Sequence, residues 1–458
     1  MHEINAALKN VVENGGASDT EGLRSVIGRI NYAAYDRYLF EASLRGDASS
    51  KFIGSQQWGF FPSFSVGWRF REESFFEPLK DIFSNGKFRF SYGSLGNNSG
   101  VGKYGQQETL STANYILYQS IVKGFVNKKL INPELSWEKT SVMNVGLDLG
   151  FFNNRLSLEL DYYDRLTSGM NRPSDLSIFL EGLYNAPRMN IGKLRNRGFE
   201  TNITWNDHFK DFQYRLNFNI SYNRNKLEEW NERLMRGNVY LEMPYHFVYG
   251  YEDYGIAQSW TDIYNTTPQD ASPGDILLKD INGDGKIDGN DQIAKPNSNF
   301  DRPNTNFGFN FNLAYKGFDL SGLLNGALGR KTYWISDFYN NTSFSTGKNI
   351  TWDQYNNWWS WDNREGPWPR QGASGNSRAK SSSWLDNMNY LRLKNLQVGY
   401  TLKGKLCKEL RIESIRFYGS AENIFTITSY RGIDPERGDI NSLYPLVRSF
   451  SFGFNVNI

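Results

Sequence analysis

Hydrophobic and polar residues alternate with period two through much of this chain, which is the pattern of a strand whose successive side chains face opposite sides of a sheet. In residues 306–315, Phe307, Phe309, Phe311, Leu313 and Tyr315 fall on one side, and Asn306, Gly308, Asn310, Asn312 and Ala314 on the other. Met143, Val145, Leu147, Leu149 and Phe151 oppose Asn144, Gly146, Asp148 and Gly150 in the same way. So do Leu156, Leu158, Leu160 and Tyr162, then Tyr214, Leu216, Phe218, Ile220 and Tyr222, and finally Phe450, Phe452, Phe454, Val456 and Ile458. Eight further segments of this type begin near Val26, Arg37, Pro62, Lys87, Gly198, Phe318, Tyr390 and Ile415. Together they predict an all-β chain of about 14 strands.

The spacing of these segments carries topology. Tight polar turns join them in pairs, at Phe152-Asn153-Asn154-Arg155, at 206–211 and at Lys316-Gly317. Much longer connections separate the pairs, over 95–139, 223–306 and 326–389. Short turns on one side and long loops on the other is the layout of an antiparallel transmembrane β-barrel, and segments of about ten residues suit a tilted strand crossing a bilayer. A soluble sandwich, propeller or β-helix also yields alternating strands. Here, however, the polar face is rich in Asn, Ser and Gly and the apolar face in Phe and Tyr, as a membrane–water interface favours. No fixed repeat of propeller-blade length is present.

Composition narrows the choice. Aromatic residues make up 16% of the 458 positions, too many for a disordered chain. Mean hydropathy is −0.60 and no apolar run reaches helical-span length, which excludes a helical membrane architecture. Lys and Arg number 51 against 49 Asp and Glu, so no dominant basic surface points to nucleic acid. The single cysteine, Cys407, excludes an internal disulfide, and His2, His208 and His246 are too scattered for a histidine zinc motif. The first residues lack the basic and apolar regions of a secretory signal.

Several stretches together resemble the SusC/RagA branch of TonB-dependent outer-membrane transporters, in that family's order. They are SVIGRINYAAYDRYLFEASLRGDASSKF (25–52), FFPSFSVGWRF (60–70), FRFSYGSLGNNSG (88–100), LINPELSWEKTSVMNVGLDLGFFNNRLSLELDYYDR (130–165), NIGKLRNRGFETNITWN (190–206), PGDILLKDINGDGKIDGNDQ (273–292), YLRLKNLQVGYTL (390–402) and GSAENIFTITSYRGIDPE (419–436). The resemblance implies a 22-stranded barrel in the outer membrane with a plug and a TonB-contacting motif ahead of it. Residues 1–458 are then expected to be the C-terminal portion of that barrel. It also implies a SusD-like surface lipoprotein and the TonB complex as partners, and an oligosaccharide or peptide as the imported substrate. The rival readings are a passive porin and a secreted, calcium-stabilised glycan-binding β protein. A partial sheet would leave two unpaired edges, each exposed amide or carbonyl costing several kcal/mol in hydrocarbon, so we expect this portion not to insert alone unless it closes into a smaller barrel. The last residue, Ile458, departs from the aromatic end usual in such barrels.

Candidate chemistry is sparse. Within 273–292, Asp280, Asn282, Asp284, Lys286, Asp288 and Asp291 fall at positions 1, 3, 5, 7, 9 and 12 of a calcium-type loop, with Lys286 serving through its carbonyl and Gly285 at the turn. Asp291 replaces the longer Glu usual at the last position, and the flanks do not read as paired helices. We therefore expect structural calcium stiffening an extracellular loop, against the alternative of a polar turn that binds nothing. Trp352, Trp358, Trp359, Trp361 and Trp368 crowd another long loop, as candidates for substrate or partner contact or for folding that loop onto itself. The GxGxxG match at Gly100–Gly105 has no following helix, and Gly347-Lys348-Asn349 lacks the rest of a phosphate loop. No carboxylate pair is singled out for hydrolysis, so no enzymatic activity is expected.

Overall fold

The computed structural model describes residues 19–103, 108, 110–127, 131–173, 187–230, 240–300, 302–334, 350, 352–404, 407, 409, 411–437 and 446–458. Its dominant element is a single antiparallel sheet of 13 strands in which every strand pairs with its neighbour in this order. The strands are β1 (Leu23–Ala34), β2 (Tyr38–Ser49), β3 (Trp58–Trp68), β4 (Phe83–Asn97), β5 (Glu138–Phe151), β6 (Leu156–Ser168), β7 (Lys193–Phe209), β8 (Phe212–Glu229), β9 (Thr305–Tyr315), β10 (Phe318–Leu328), β11 (Tyr390–Leu402), β12 (Ser414–Thr428) and β13 (Ser449–Asn457). Each corresponds to a segment marked by alternation. Among the described residues no pairing joins β1 to β13. The phosphate-loop fragment at 347–349 and residues 104 and 105 of the glycine match lie outside the described residues.

Register follows the alternation. Asn217 pairs with Thr204 on one side and Asn310 on the other, and their neighbours Phe218, Ile203 and Phe309 come together on the opposite face. That apolar face is open: Phe450, Phe452 and Phe454 on β13 are 67–88% exposed. Large rings pack there over small residues of the next strand. A Cβ added at Gly322 would meet the Phe311 ring at 2.4 Å, so any larger residue there must displace that ring. Near the short turns the same face carries aromatic pairs, Phe83–Phe151 with ring centroids 4.7 Å apart and Phe318–Tyr400 at 4.5 Å, and Trp205 donates to the Tyr214 hydroxyl at 3.3 Å. Rings with polar edges along one rim form an interfacial girdle.

Two strands run longer than the hydrophobic pattern predicts. β7 and β8 hold 17 and 18 residues, and they run past the apolar segments at both ends, farthest on the long-loop side. There Arg195 contacts Asp164 at 2.9 Å and Glu228 at 2.5 Å, and Arg197 contacts Asp164 at 2.8 Å. Charge pairs replace apolar residues once the strands leave hydrocarbon, and the alternation fades with them.

The long connections are themselves folded. Leu110–Leu117 and Ser120–Asn127 form a hairpin, and Phe247–Gly250, Ile293–Phe300, Arg330–Tyr333 and Leu385–Asn387 form a separate four-stranded sheet. The largest buried apolar cluster belongs to these loops and joins Val248, Ile276, Leu278, Trp334, Trp384 and Met388. Among the described residues the largest apolar cluster thus lies outside the main sheet, whose own apolar face points outward.

Candidate functional site in the lumen and extracellular loops

The polar face of the sheet is wired across strands. Arg89 on β4 holds Asp148 on β5 at 2.7 Å and Asp161 on β6 at 3.0 Å. Arg416 on β12 makes a two-bond contact with Asp319 on β10, at 2.9 and 2.5 Å. Between these pairs runs an asparagine ladder: Asn217 donates to Asn202 at 2.6 Å and accepts from Asn310 at 3.4 Å. Ser43, Arg45, Ser63, Ser65 and Ser91 line a cleft of about 620 Å³ on β2–β4 together with Phe61, Tyr92 and Trp137. Such a wall presents hydrogen-bonding groups that suit water and polar solutes.

The tryptophan-rich loop divides into inner and outer members. Trp359 and Trp368 are buried, at 4% and 6% exposure, and Trp358 is half-buried against the same cluster as Trp368. Trp368 lies 5.0 Å from Trp334 and donates its indole N–H to Asp353 at 2.9 Å. Trp359 donates to Gln258 at 2.9 Å. The rings of these three pack the loop inward, Trp359 on Gln258 and Trp368 against Trp334 and Trp384. Trp352 and Trp361 remain open, at 79% and 57% exposure, Trp352 beside Tyr355 and Trp361 under the Arg364 guanidinium at 5.0 Å.

The loop at 280–291 is wound by carboxylates and amides accepting backbone N–H groups. Asp280 accepts from Gly283 at 2.7 Å and Gly285 at 2.9 Å, Asn282 from Asp284 at 3.0 Å, and Asp284 from Lys286 at 2.9 Å. Asp288 accepts from Asn290 at 2.7 Å. Asp291 is fully buried, and its two oxygens accept from Asp288 at 2.8 Å and from Ile281 at 2.9 Å. The Asp288, Ile281 and Asn282 amides hold its carboxyl below the usual carboxylate range, against the opposing effect of burial. Asp291 therefore closes the loop. Among the described residues no group of three His, Cys, Asp or Glu side chains is gathered as a metal site. The donors are nonetheless hard oxygens, the type calcium takes, and they include Asn282 and main-chain carbonyls.

Sequence reasoning assigned no role to the clasp between loops and sheet. Arg392 on β11, 3% exposed, donates to Asp434 at 2.9 Å and to Glu436 at 2.6 Å, and Lys394 reaches Glu436 at 2.6 Å. Arg330 donates to the Pro435 and Glu436 carbonyls at 3.2 and 3.0 Å. Arg431 lies over the Trp334 ring at 4.7 Å and pairs with Asp386 at 2.7 Å. These partners are up to 106 residues apart, and the only signal in the sequence is the acidic run Ile433-Asp434-Pro435-Glu436.

Residues 11–276 match the family described as TonB dependent receptor-like, beta-barrel. The chain is 31% identical to TonB-dependent receptor P3 of Formosa agariphila, over 96% of this chain and 46% of that protein. It is 28% identical to TonB-dependent receptor SusC of Bacteroides thetaiotaomicron, over 95% of this chain and 43% of that protein. The RagAB peptide importer in its open-open state superposes with a TM-score of 0.80 at 26% identity, over 96% of this chain and 47% of that one. The chain spans about half the length of the curated relatives it matches. Those relatives are named as receptors, not as enzymes. With its outward aromatic face, polar inner wall and folded loops, the chain belongs to the TonB-dependent receptor family, as a SusC-like β-barrel of the outer membrane.

Proposed function

We propose that this chain is the barrel portion of a nutrient transporter that imports oligosaccharides or peptides together with a SusD-like surface lipoprotein, driven by the TonB complex. The observation that carries this reading is the clasped loop assembly above a polar inner wall. Arg392, Arg330 and Arg431 hold the β10–β11 and β12–β13 connections together on β11 where a surface lipoprotein would sit, with Trp352 and Trp361 left open to it. The likeness to SusC and to the RagAB importer supports the same assignment. Uptake of labelled oligosaccharides and peptides by cells with and without the gene, each with and without a protonophore, tests it. Uptake that needs both the gene and the proton gradient is expected; gene-dependent uptake that survives the protonophore would overturn active import in favour of a porin.

Calcium at 280–291 is part of this proposal. Asp280, Asn282, Asp284, the Lys286 carbonyl and Asp288 would hold the ion, which supplies charge neutralisation and stiffness, while Asp291 closes the loop. Chelation is expected to speed proteolysis within this loop and added calcium to reverse it. Equal cleavage in both conditions would leave a metal-free turn.

A further inference from the structure

The connection between β3 and β4, residues 69–82, lies on the short-turn side of the sheet but is not a tight turn. It folds into two 3-10 helices, Phe70–Glu72 and Ser74–Leu79. It turns back along the outside of the barrel, because its contacts are with the apolar face. A Cβ at Gly86 would strike the Phe70 ring at 2.5 Å, and Gly86 shares its face with Phe88 and Phe90. Phe76 stacks edge-on against Phe70 and Phe83, each at 5.3 Å. Glu73 accepts from the Trp68 indole at 3.0 Å, the Tyr38 hydroxyl at 2.6 Å and Arg37 at 3.1 Å.

The outer side of this segment is apolar and uncovered. Phe75 is 65% exposed, Leu79 42% and Ile82 49%. Charged residues are interspersed with them, at Glu72, Glu77, Lys80 and Asp81, and Lys80 pairs with Glu77 at 2.6 Å. The patch is continuous with the lipid-facing wall, since the Phe75 ring is 6.3 Å from that of Trp68, the last residue of β3. Apolar rings and aliphatic chains beside charged groups, at the level of an aromatic girdle, are what an interfacial anchor presents to headgroups and upper acyl chains. Left in periplasmic water, the same residues would extend an exposed apolar patch with nothing to cover it.

We propose that residues 69–82 are a lipid-binding anchor: Phe75, Leu79 and Ile82 insert into the inner leaflet of the outer membrane and bind phospholipid acyl chains, while Glu77, Lys80 and Asp81 stay at the headgroups. The protein, purified in folded form from outer membranes, is reconstituted in phosphatidylethanolamine and phosphatidylglycerol vesicles carrying a carbene-generating acyl chain, irradiated, digested with trypsin and mapped by mass spectrometry. Cleavage after Arg71 and Lys80 releases residues 72–80 as one peptide, so no substitution is needed. Adducts on that peptide at a level comparable to the lipid-facing strand peptides are expected. Labelled strand peptides beside an unlabelled 72–80 peptide would overturn the proposal.

A second measurement resolves single positions. With Cys407→Ser as background, nitroxide labels are placed by Phe75→Cys, Leu79→Cys and Glu77→Cys, and by Val66→Cys and Lys316→Cys as lipid and water references. Heat-modifiable gel mobility selects the folded variants. Collisions with oxygen are expected to exceed those with a water-soluble nickel chelate at 75 and 79, as at 66, with the reverse at 77 and 316. Positions 75 and 79 behaving like 316 would mean that the segment faces water.

Discussion

Arg392 and Asp434 form a buried ion pair, 2.9 Å apart with side chains only 3% and 8% exposed, and through it the last long loop is held to β11. Glu436 and Thr426 accept from the other guanidinium nitrogens, so each of the three nitrogens makes a hydrogen bond. Removing one member leaves the other buried without a counter-charge, which costs about 3–5 kcal/mol. Arg392→Met is therefore expected to lower the unfolding free energy by that amount and to open residues 429–437 to protease. Denaturant unfolding in detergent, with cleavage mapped by mass spectrometry, measures both.

The two classes of loop tryptophan separate by mutation. Trp368 fills the buried cluster against Trp334 and Trp384, and Trp368→Ala is expected to cost about 3–5 kcal/mol as transfer and cavity terms add. Trp361 is largely exposed, so Trp361→Ala is expected to stay within about 0.5 kcal/mol. If the lipoprotein seats on the outer rings, Trp361→Ala also weakens its co-purification without changing stability.

Asp291 makes the calcium-type loop pH-sensitive. Its pKa in the folded protein is depressed, so its contribution to stability is complete above the unfolded value of about 3.9 and is lost as pH falls through the lower folded value. Amide exchange at 281–288, corrected for intrinsic rates, is expected to stay constant down to about pH 4 and to accelerate below it. Asp291→Asn is expected to exchange faster at neutral pH and to lose the acid-dependent step.

Gly322 is a packing constraint on the membrane face. Its cross-strand partner Phe311 covers the space a side chain would need, so Gly322→Val pushes the ring away from the wall. Overpacking of this kind costs about 1–3 kcal/mol. Unfolding in detergent is expected to show that loss, and the paired Phe311→Ala, Gly322→Val variant to recover part of it.

Much of the sheet is legible in the pattern of residues alone. Phe307, Phe309 and Phe311 announce β9 because the two faces of a strand meet different solvents, and only period two keeps each residue type on its own side. The ends of β7 and β8 are not legible in this way, since above the lipid both faces meet water and charged pairs take the place of alternation. The calcium-type spacing is equally plain in sequence, but that Asp291 is consumed by three backbone amides depends on how the loop closes.

Tertiary structure alone decides the loops. Trp359 and Trp361 are two residues apart and of one type, yet one is buried on Gln258 and the other is open, because burial there depends on elements 101 residues away. Likewise nothing near Phe75 in the sequence says that its segment folds outward onto Trp68. By itself the sequence determined the strands, their order and the two solvents they separate, through a local period set by backbone geometry. Which loop residues become core, clasp or exposed surface was decided by contacts between distant segments, for which no local period exists.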